Sequence, residues 1–66
     1  MTEYESALLT AENHGSAHEW LRRGSLSSAV TSLQIVLDTH HPSLTPMQRQ
    51  RIILEVLSEW QESFDS

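Results

Sequence analysis

The sequence predicts an all-α fold: a small helical hairpin with an additional N-terminal helix, assembled as a dimeric helical bundle. Apolar residues recur at helical spacing along the chain, and residues typical of helix starts precede these runs. No segment alternates apolar and polar residues beside turn dipeptides, as the strands of a sheet would. A chain of 66 residues has room for one core, so we assign residues 1–66 to a single helical domain.

The first helix is predicted to begin after Thr2, because Thr2 and Glu5 have the spacing of a capping box. Gly15 can adopt the left-handed conformation that ends helices, so we expect this helix to stop near Asn13 or His14. The alternative, in which Gly15 only bends a longer helix, stays open.

A short second helix is predicted from Ser16 and Glu19, which repeat the capping-box spacing. Gly24 would close this helix as a left-handed C-terminal residue. We assign Trp20 to the core, with an interface position as the alternative, because tryptophan is also common in binding hot spots.

The third helix is expected over roughly residues 26–40, with Ser25 as its cap. Serine and threonine stand on its polar face, where a solvated helix normally has charged residues, and Ile35 points away from the main stripe. We therefore expect this helix to be central and to have neighbours on more than one side. Its apolar stripe consists of Leu26, Ala29, Val30, Leu33, Val36 and Leu37, extended by His40.

The last helix has the clearest predicted start, with Thr45 as cap, Pro46 at the first helical position and Gln48 at the third. It should run to residues 61–64 and form an antiparallel hairpin with the third helix. Its apolar residues cover an arc wider than about 100°, so the helix needs two neighbours, which so short a chain can hardly supply. The arc therefore predicts a homodimer. The residues assigned to the core or the dimer interface are Leu33, Leu37, Ile53, Val56, Leu57 and Trp60.

Composition limits the function classes. Nine acidic residues against four arginines give a formal net charge of −5, so the chain lacks the basic stripe of nucleic-acid binding and suits positively charged partners. It has no cysteine, and its longest apolar run, residues 52–54, is far too short to span a membrane. The N-terminus lacks the order of a signal peptide, so we expect a cytoplasmic protein without a membrane partner.

No motif predicts catalysis, a metal site or a cofactor. The histidines fall in two pairs, at positions 14 and 18 and at positions 40 and 41; Gly15 interrupts the first pair, and adjacent residues diverge on a helix. The serines occupy cap and helix-face positions without a nucleophile elbow, and two glycines cannot build a phosphate loop. We expect structural histidines, no enzyme activity and no cofactor.

Two groups of charged residues are candidates for binding a partner protein. The first is a set of carboxylates on the outer face of the last helix, Glu55, Glu59 and Glu62. Negative charge near a helix C-terminus opposes the helix dipole, and only Glu55 has an arginine, Arg51, one turn away. This arrangement fits an ordinary solvated face at a frayed helix end, and it is also what a protein that binds a basic partner surface would present. The second candidate patch consists of Arg22 and Arg23, beside Trp20.

Gly24 also lies in a helix-turn-helix setting, in which the third helix would read DNA with uncharged side chains. Phosphate contacts need cations, and only Arg22 and Arg23 are near. A direct DNA-binding regulator is therefore the runner-up, and a structural or assembly adaptor is a third possibility.

The chain resembles the small quorum-sensing anti-activators of Mu-like temperate phages over three segments, residues 8–15 (LLTAENHG), 20–24 (WLRRG) and 58–64 (SEWQESF). The resemblance implies a phage-encoded helical homodimer in the host cytoplasm. It also implies an inhibitor that binds the DNA-binding part of a LuxR-type transcription regulator, and inhibition of the type IV pilus assembly ATPase. No site residue is carried over from the family.

Overall fold

Four α-helices account for most of residues 2–65, the part of the chain that the computed structural model describes. They are α1 (Glu3–Glu12), α2 (Gly15–Arg22), α3 (Leu26–His40) and α4 (Pro46–Asp65). No strand occurs in these residues, so the all-α prediction is confirmed. The N-terminal segment is two helices, because Gly15 begins α2 and does not bend a longer helix.

The predicted caps of the two terminal helices are confirmed. Thr2 Oγ1 accepts the Glu5 backbone N–H at 3.1 Å at the start of α1. At the start of α4, Thr45 Oγ1 accepts the Gln48 N–H at 3.1 Å, and the Gln48 side chain accepts the Thr45 N–H at 2.9 Å. The two bonds between Thr45 and Gln48 form a complete capping box, whereas at Thr2 the Glu5 carboxylate accepts from the Thr2 hydroxyl at 3.1 Å. Each cap satisfies backbone donors that a helix start otherwise leaves free.

The predicted caps of the two inner helices are wrong in detail. The Ser16–Glu19 box does not form, because α2 begins at Gly15 with His14 at the cap position and no side-chain cap bond. Ser25 does precede α3, but its hydroxyl donates to Ser28 Oγ at 2.9 Å and caps no backbone group.

The turn between α2 and α3 is a Schellman motif centred on Gly24, which has the only positive φ, 87°, among the described residues. The Gly24 N–H donates to the Leu21 carbonyl and the Ser25 N–H to the Trp20 carbonyl, both at 2.9 Å. These two bonds satisfy carbonyls at the end of α2. Gly24 closes α2 as predicted.

The broad apolar arc of α4 is covered within one copy of the chain. Helices α1, α2 and α3 all contact α4. Residues 41–45 connect α3 to α4, and the two helices contact each other, as expected for a hairpin. The inference that so short a chain can hardly supply two neighbours is therefore wrong. The six residues assigned to core or dimer interface are core residues of a single copy, each at most 9% exposed: Leu33, Leu37, Ile53, Val56, Leu57 and Trp60.

Several other positions differ from the sequence prediction. Trp20 is 41% exposed, so its assignment to the core is wrong; the buried face of α2 is formed by Ala17 and Leu21. Leu26 at the start of the α3 stripe is 57% exposed, and His40 at its end is also exposed. Helix α3 contacts α1, α2 and α4, as expected for a central helix, but much of its serine and threonine face is exposed and Ile35 is 62% exposed.

The four helices close around one core, with a radius of gyration of 11.1 Å. A compact chain of this length is expected at about 10.8 Å, so a single copy is already packed like an ordinary small domain. No helix in residues 2–65 combines the length and hydropathy needed to cross a membrane.

Candidate protein-binding face

Helices α1 and α4 together present a group of carboxylates, which we call the acidic face: Glu12, Glu55, Glu59 and Glu62. Glu55, Glu59 and Glu62 lie on exposed positions of α4, as predicted. Because α1 packs against α4, it brings Glu12 beside them. The pKa of Glu12 is raised above its usual value, first by partial burial and then by the negative charges of Glu59 and Glu55. The acidic face is thus wider than the α4 sequence indicated.

The carboxylates of the acidic face have no cationic partner among the described residues. Every ion pair found in residues 2–65 uses Glu3, Glu19 or Asp38 instead. The possible pair between Arg51 and Glu55 does not form within this part of the chain. Negative charge on this face is therefore available to a molecule from outside.

Tyr4 anchors the acidic face to α1. Its hydroxyl donates a hydrogen bond to Glu55 Oε2 at 3.3 Å, a long contact between α1 and the outer side of α4. Burial raises the pKa of the Tyr4 hydroxyl, and the Glu55 charge raises it further. The bond holds the Glu55 carboxylate in place without neutralising it, because the tyrosine hydroxyl stays protonated and uncharged at neutral pH.

The second candidate patch is partly neutralised by α2 itself. Arg22 donates to both carboxylate oxygens of Glu19, at 2.7 and 3.0 Å, and Arg23 Nε donates to Glu19 Oε1 at 3.2 Å. The hydrogen bond from Arg22 is the main cause that lowers the pKa of Glu19 to about 2. Both arginines are exposed, but the Glu19 carboxylate offsets part of their positive charge, so this patch offers less free charge than the acidic face.

The histidines of the first pair do not converge on a metal site. The His18 ring packs edge-on against Trp60 and Phe64, with ring centroids 5.1 Å apart in each case. Such contacts between the edge of one ring and the face of another favour packing. In residues 2–65 no group of three or more histidine, cysteine, aspartate or glutamate side chains could hold a metal ion.

His41 is the one buried polar residue of the described chain, with 8% of its surface exposed. Its Nε2 lies 2.8 Å from Thr10 Oγ1 and its Nδ1 lies 3.5 Å from Glu3 Oε2. Ser43 donates to the other Glu3 oxygen at 2.8 Å, and this bond is the main cause that lowers the pKa of Glu3. These contacts of His41, Thr10, Glu3 and Ser43 form a network that links α1 to the connection between α3 and α4.

The order of carboxylate, imidazole and hydroxyl in this network is that of a nucleophile triad, but its surroundings differ. The Thr10 hydroxyl also donates to the Ser6 carbonyl at 3.1 Å, as a helix-face threonine commonly does. Neither Thr10 nor His41 lines any of the surface grooves described for the chain. The geometry accordingly supports a structural role for His41.

No protein-family model, curated protein or solved structure matches the chain. The resemblance to phage anti-activators therefore stays a prediction.

Sequence reasoning missed two of these features. Glu12 had no signal of its own, because only the packing of α1 on α4 brings it to the acidic face. For His41 the sequence prediction was one position away: it placed His40 on the apolar stripe of α3, whereas α3 ends at His40 and the buried histidine is His41. His41 leaves the helix with φ −136° and ψ 61°, and its ring then lies beside Thr10 of α1.

Proposed function

We propose that this chain is an inhibitory binding protein that docks its acidic face onto a positively charged surface of another protein and so blocks that surface. One observation carries the proposal. Glu55 and Glu59 of α4 lie close enough to Glu12 of α1 to raise its pKa, and none of these three carboxylates forms an ion pair in residues 2–65.

The arrangement disfavours the isolated chain and favours a basic partner. Like charges held together repel, and acidic residues at the C-terminal end of α4 oppose its dipole by about 0.3–1 kcal/mol each. Arginine or lysine side chains of a partner would relieve both effects when they approach. They would also accelerate association, because a net charge of −5 steers a basic surface towards the chain.

A DNA-binding surface is the kind of partner that fits best. Such surfaces carry arginine and lysine for phosphate contacts, so an acidic protein can occupy the same site and exclude DNA. The resemblance to phage anti-activators implies the DNA-binding part of a LuxR-type regulator as one partner and a pilus assembly ATPase as another. On this proposal the chain acts in the cytoplasm of a host cell.

The proposal is tested with the purified DNA-binding domain of a LuxR-type regulator and its labelled operator. Adding the chain should release the DNA in a mobility-shift assay, and the double variant Glu59→Lys/Glu62→Lys should release none. Inhibition should weaken as salt rises, because exposed charges are screened over about 8–10 Å at physiological ionic strength.

A matched control separates the acidic face from net charge. Asp38→Lys alters charge by the same amount as Glu59→Lys, at an exposed position on α3 whose ion pair to Arg49 is long at 3.7 Å. Inhibition should survive Asp38→Lys and fail with Glu59→Lys, at equal helicity by circular dichroism. Equal loss of inhibition in both single variants would show that only net charge matters and would refute the proposed face.

The runner-up, a helix-turn-helix regulator, has one observation in its favour. Helices α2 and α3 are joined by a three-residue turn and contact each other, and Ser27, Thr31 and Gln34 lie exposed on α3. Against it, Glu19 bonds to both Arg22 and Arg23 and offsets part of the positive charge that phosphate contacts need. A mobility shift of the chain with nonspecific DNA at low salt discriminates: a retarded band supports this reading and contradicts the inhibitor.

A further inference from the structure

An apolar groove runs between α3 and α4, and none of the acidic-face residues lines it. Its volume is about 400 Å³. Val30, Ile53 and Leu57 line it, and two leucines project beside it: Leu26 from α3, 57% exposed, and Leu54 from α4, 62% exposed. Exposed leucines that border an apolar groove indicate a surface that excludes water when another molecule covers it.

The groove is almost free of charge in a strongly acidic chain. None of the nine acidic residues lines it, and its one charged residue is Arg49. Arg49 is compensated within the chain, because its guanidinium donates to the Leu44 carbonyl at 3.2 Å and lies 3.7 Å from Asp38. The remaining polar lining comes from the uncharged amides of Gln34 and Gln50.

We propose that a second copy of this chain covers the groove, so that α3 and α4 of two copies pack together about a twofold axis. Charge favours this occupant. Two chains of net charge −5 repel each other on most approaches, and the groove is a face whose lining contains no carboxylate, so that two copies meet there with less repulsion. A basic partner, in contrast, is attracted to the acidic face and gains nothing from the groove.

The shape of the face favours the same occupant. A twofold contact uses one patch twice, so the patch must contain both projections and a depression to receive them. The α3–α4 face has both, since Leu26 and Leu54 project beside the groove that the partner's leucines would enter. The six residues that the sequence assigned to core or dimer interface cannot serve here, except for Ile53 and Leu57 at the groove floor, because they are buried within one copy.

Sedimentation equilibrium tests the proposal directly. The wild-type chain should sediment at twice 7.5 kDa in the micromolar range. Leu54→Glu should weaken association by about a hundredfold or more, because both copies of a twofold dimer carry the substitution and two charges are placed in the interface. Leucine and glutamate are both good helix formers, and residue 54 is exposed, so the helicity of the variant should match that of the wild type.

Leu9→Glu is the matched control. Leu9 is an exposed leucine of α1, 47% exposed, and it does not line the groove. This variant carries the same change of side chain and charge and should remain dimeric. A monomeric wild type at high micromolar concentration would overturn the proposal, as would equal dissociation of the Leu9 and Leu54 variants.

Cysteine cross-linking keeps the test valid if Leu54→Glu proves poorly folded. The chain has no cysteine, so after one cysteine is introduced any disulfide must join the same position in two copies. Mild oxidation should link Gln50→Cys or Leu54→Cys chains into covalent dimers much faster than Leu9→Cys chains. Similar rates at all three positions would refute the groove as interface. Because the groove and the acidic face share no residue, loss of dimerisation and loss of partner binding are separate outcomes.

Discussion

Replacing each glycine with alanine tests how α1, α2 and α3 are joined, because the two positions predict effects of opposite sign. Gly24 has φ 87°, and an added Cβ would meet no atom within 4 Å. The cost of Gly24→Ala is therefore backbone strain alone, about 1–2 kcal/mol of the free energy of unfolding. Gly15 lies at the first position of α2 without a positive φ, and its added Cβ also meets nothing within 4 Å. Gly15→Ala should stabilise the chain by about 0.4–1 kcal/mol through lower entropy of the unfolded state.

Urea unfolding and thermal unfolding, both followed by circular dichroism at one protein concentration for all variants, measure both effects. For a domain of this size each kcal/mol moves Tm by about 4–8 °C, so the two variants should be well separated. The reasoning fails if Gly15→Ala destabilises as much as Gly24→Ala, because Gly15 would then be a left-handed end of α1. It also fails if Gly24→Ala is neutral, since the Schellman turn would then need no glycine.

Two further substitutions test the network around His41 and the acidic face. Thr10→Val removes the hydroxyl beside the buried His41 and should lower the free energy of unfolding by about 1–3 kcal/mol. The control, Ser43→Ala, alters an exposed position and should change this free energy by no more than about 0.5 kcal/mol. Equal effects of the two variants would contradict the structural role of Thr10. Glu12→Gln should raise Tm at pH 7. Because the pKa of Glu12 is raised in the folded chain, folding favours the protonated carboxyl group. The folded chain therefore loses stability as pH rises from 4.5 through the raised pKa, and glutamine avoids this loss. Well below pH 4.5 both proteins should melt alike, and a Glu12→Gln variant that is less stable at pH 7 would contradict the crowding of Glu12 by Glu59 and Glu55.

Local sequence patterns determined the helices and most of their ends. Caps depend on residues three positions apart, so Thr2 with Glu5 and Thr45 with Gln48 could be read directly, and both form. The left-handed Gly24 belongs to the same class, because no other residue type takes that conformation so readily. Such signals fail where two adjacent residues compete, as at Ser16, where α2 begins one residue earlier at Gly15.

Tertiary packing alone decided which side of each helix faces the core and which charges lie together. The spacing of apolar residues correctly predicted a wide apolar arc on α4. It could not predict that α1, α2 and α3 of one copy cover this arc. The same packing exposes Trp20, brings Glu12 to the carboxylates of α4 and leaves a groove beside Leu54. The physical reason is range: periodicity and capping act over one or two turns, whereas burial and charge proximity depend on residues as far apart in sequence as Glu12 and Glu59.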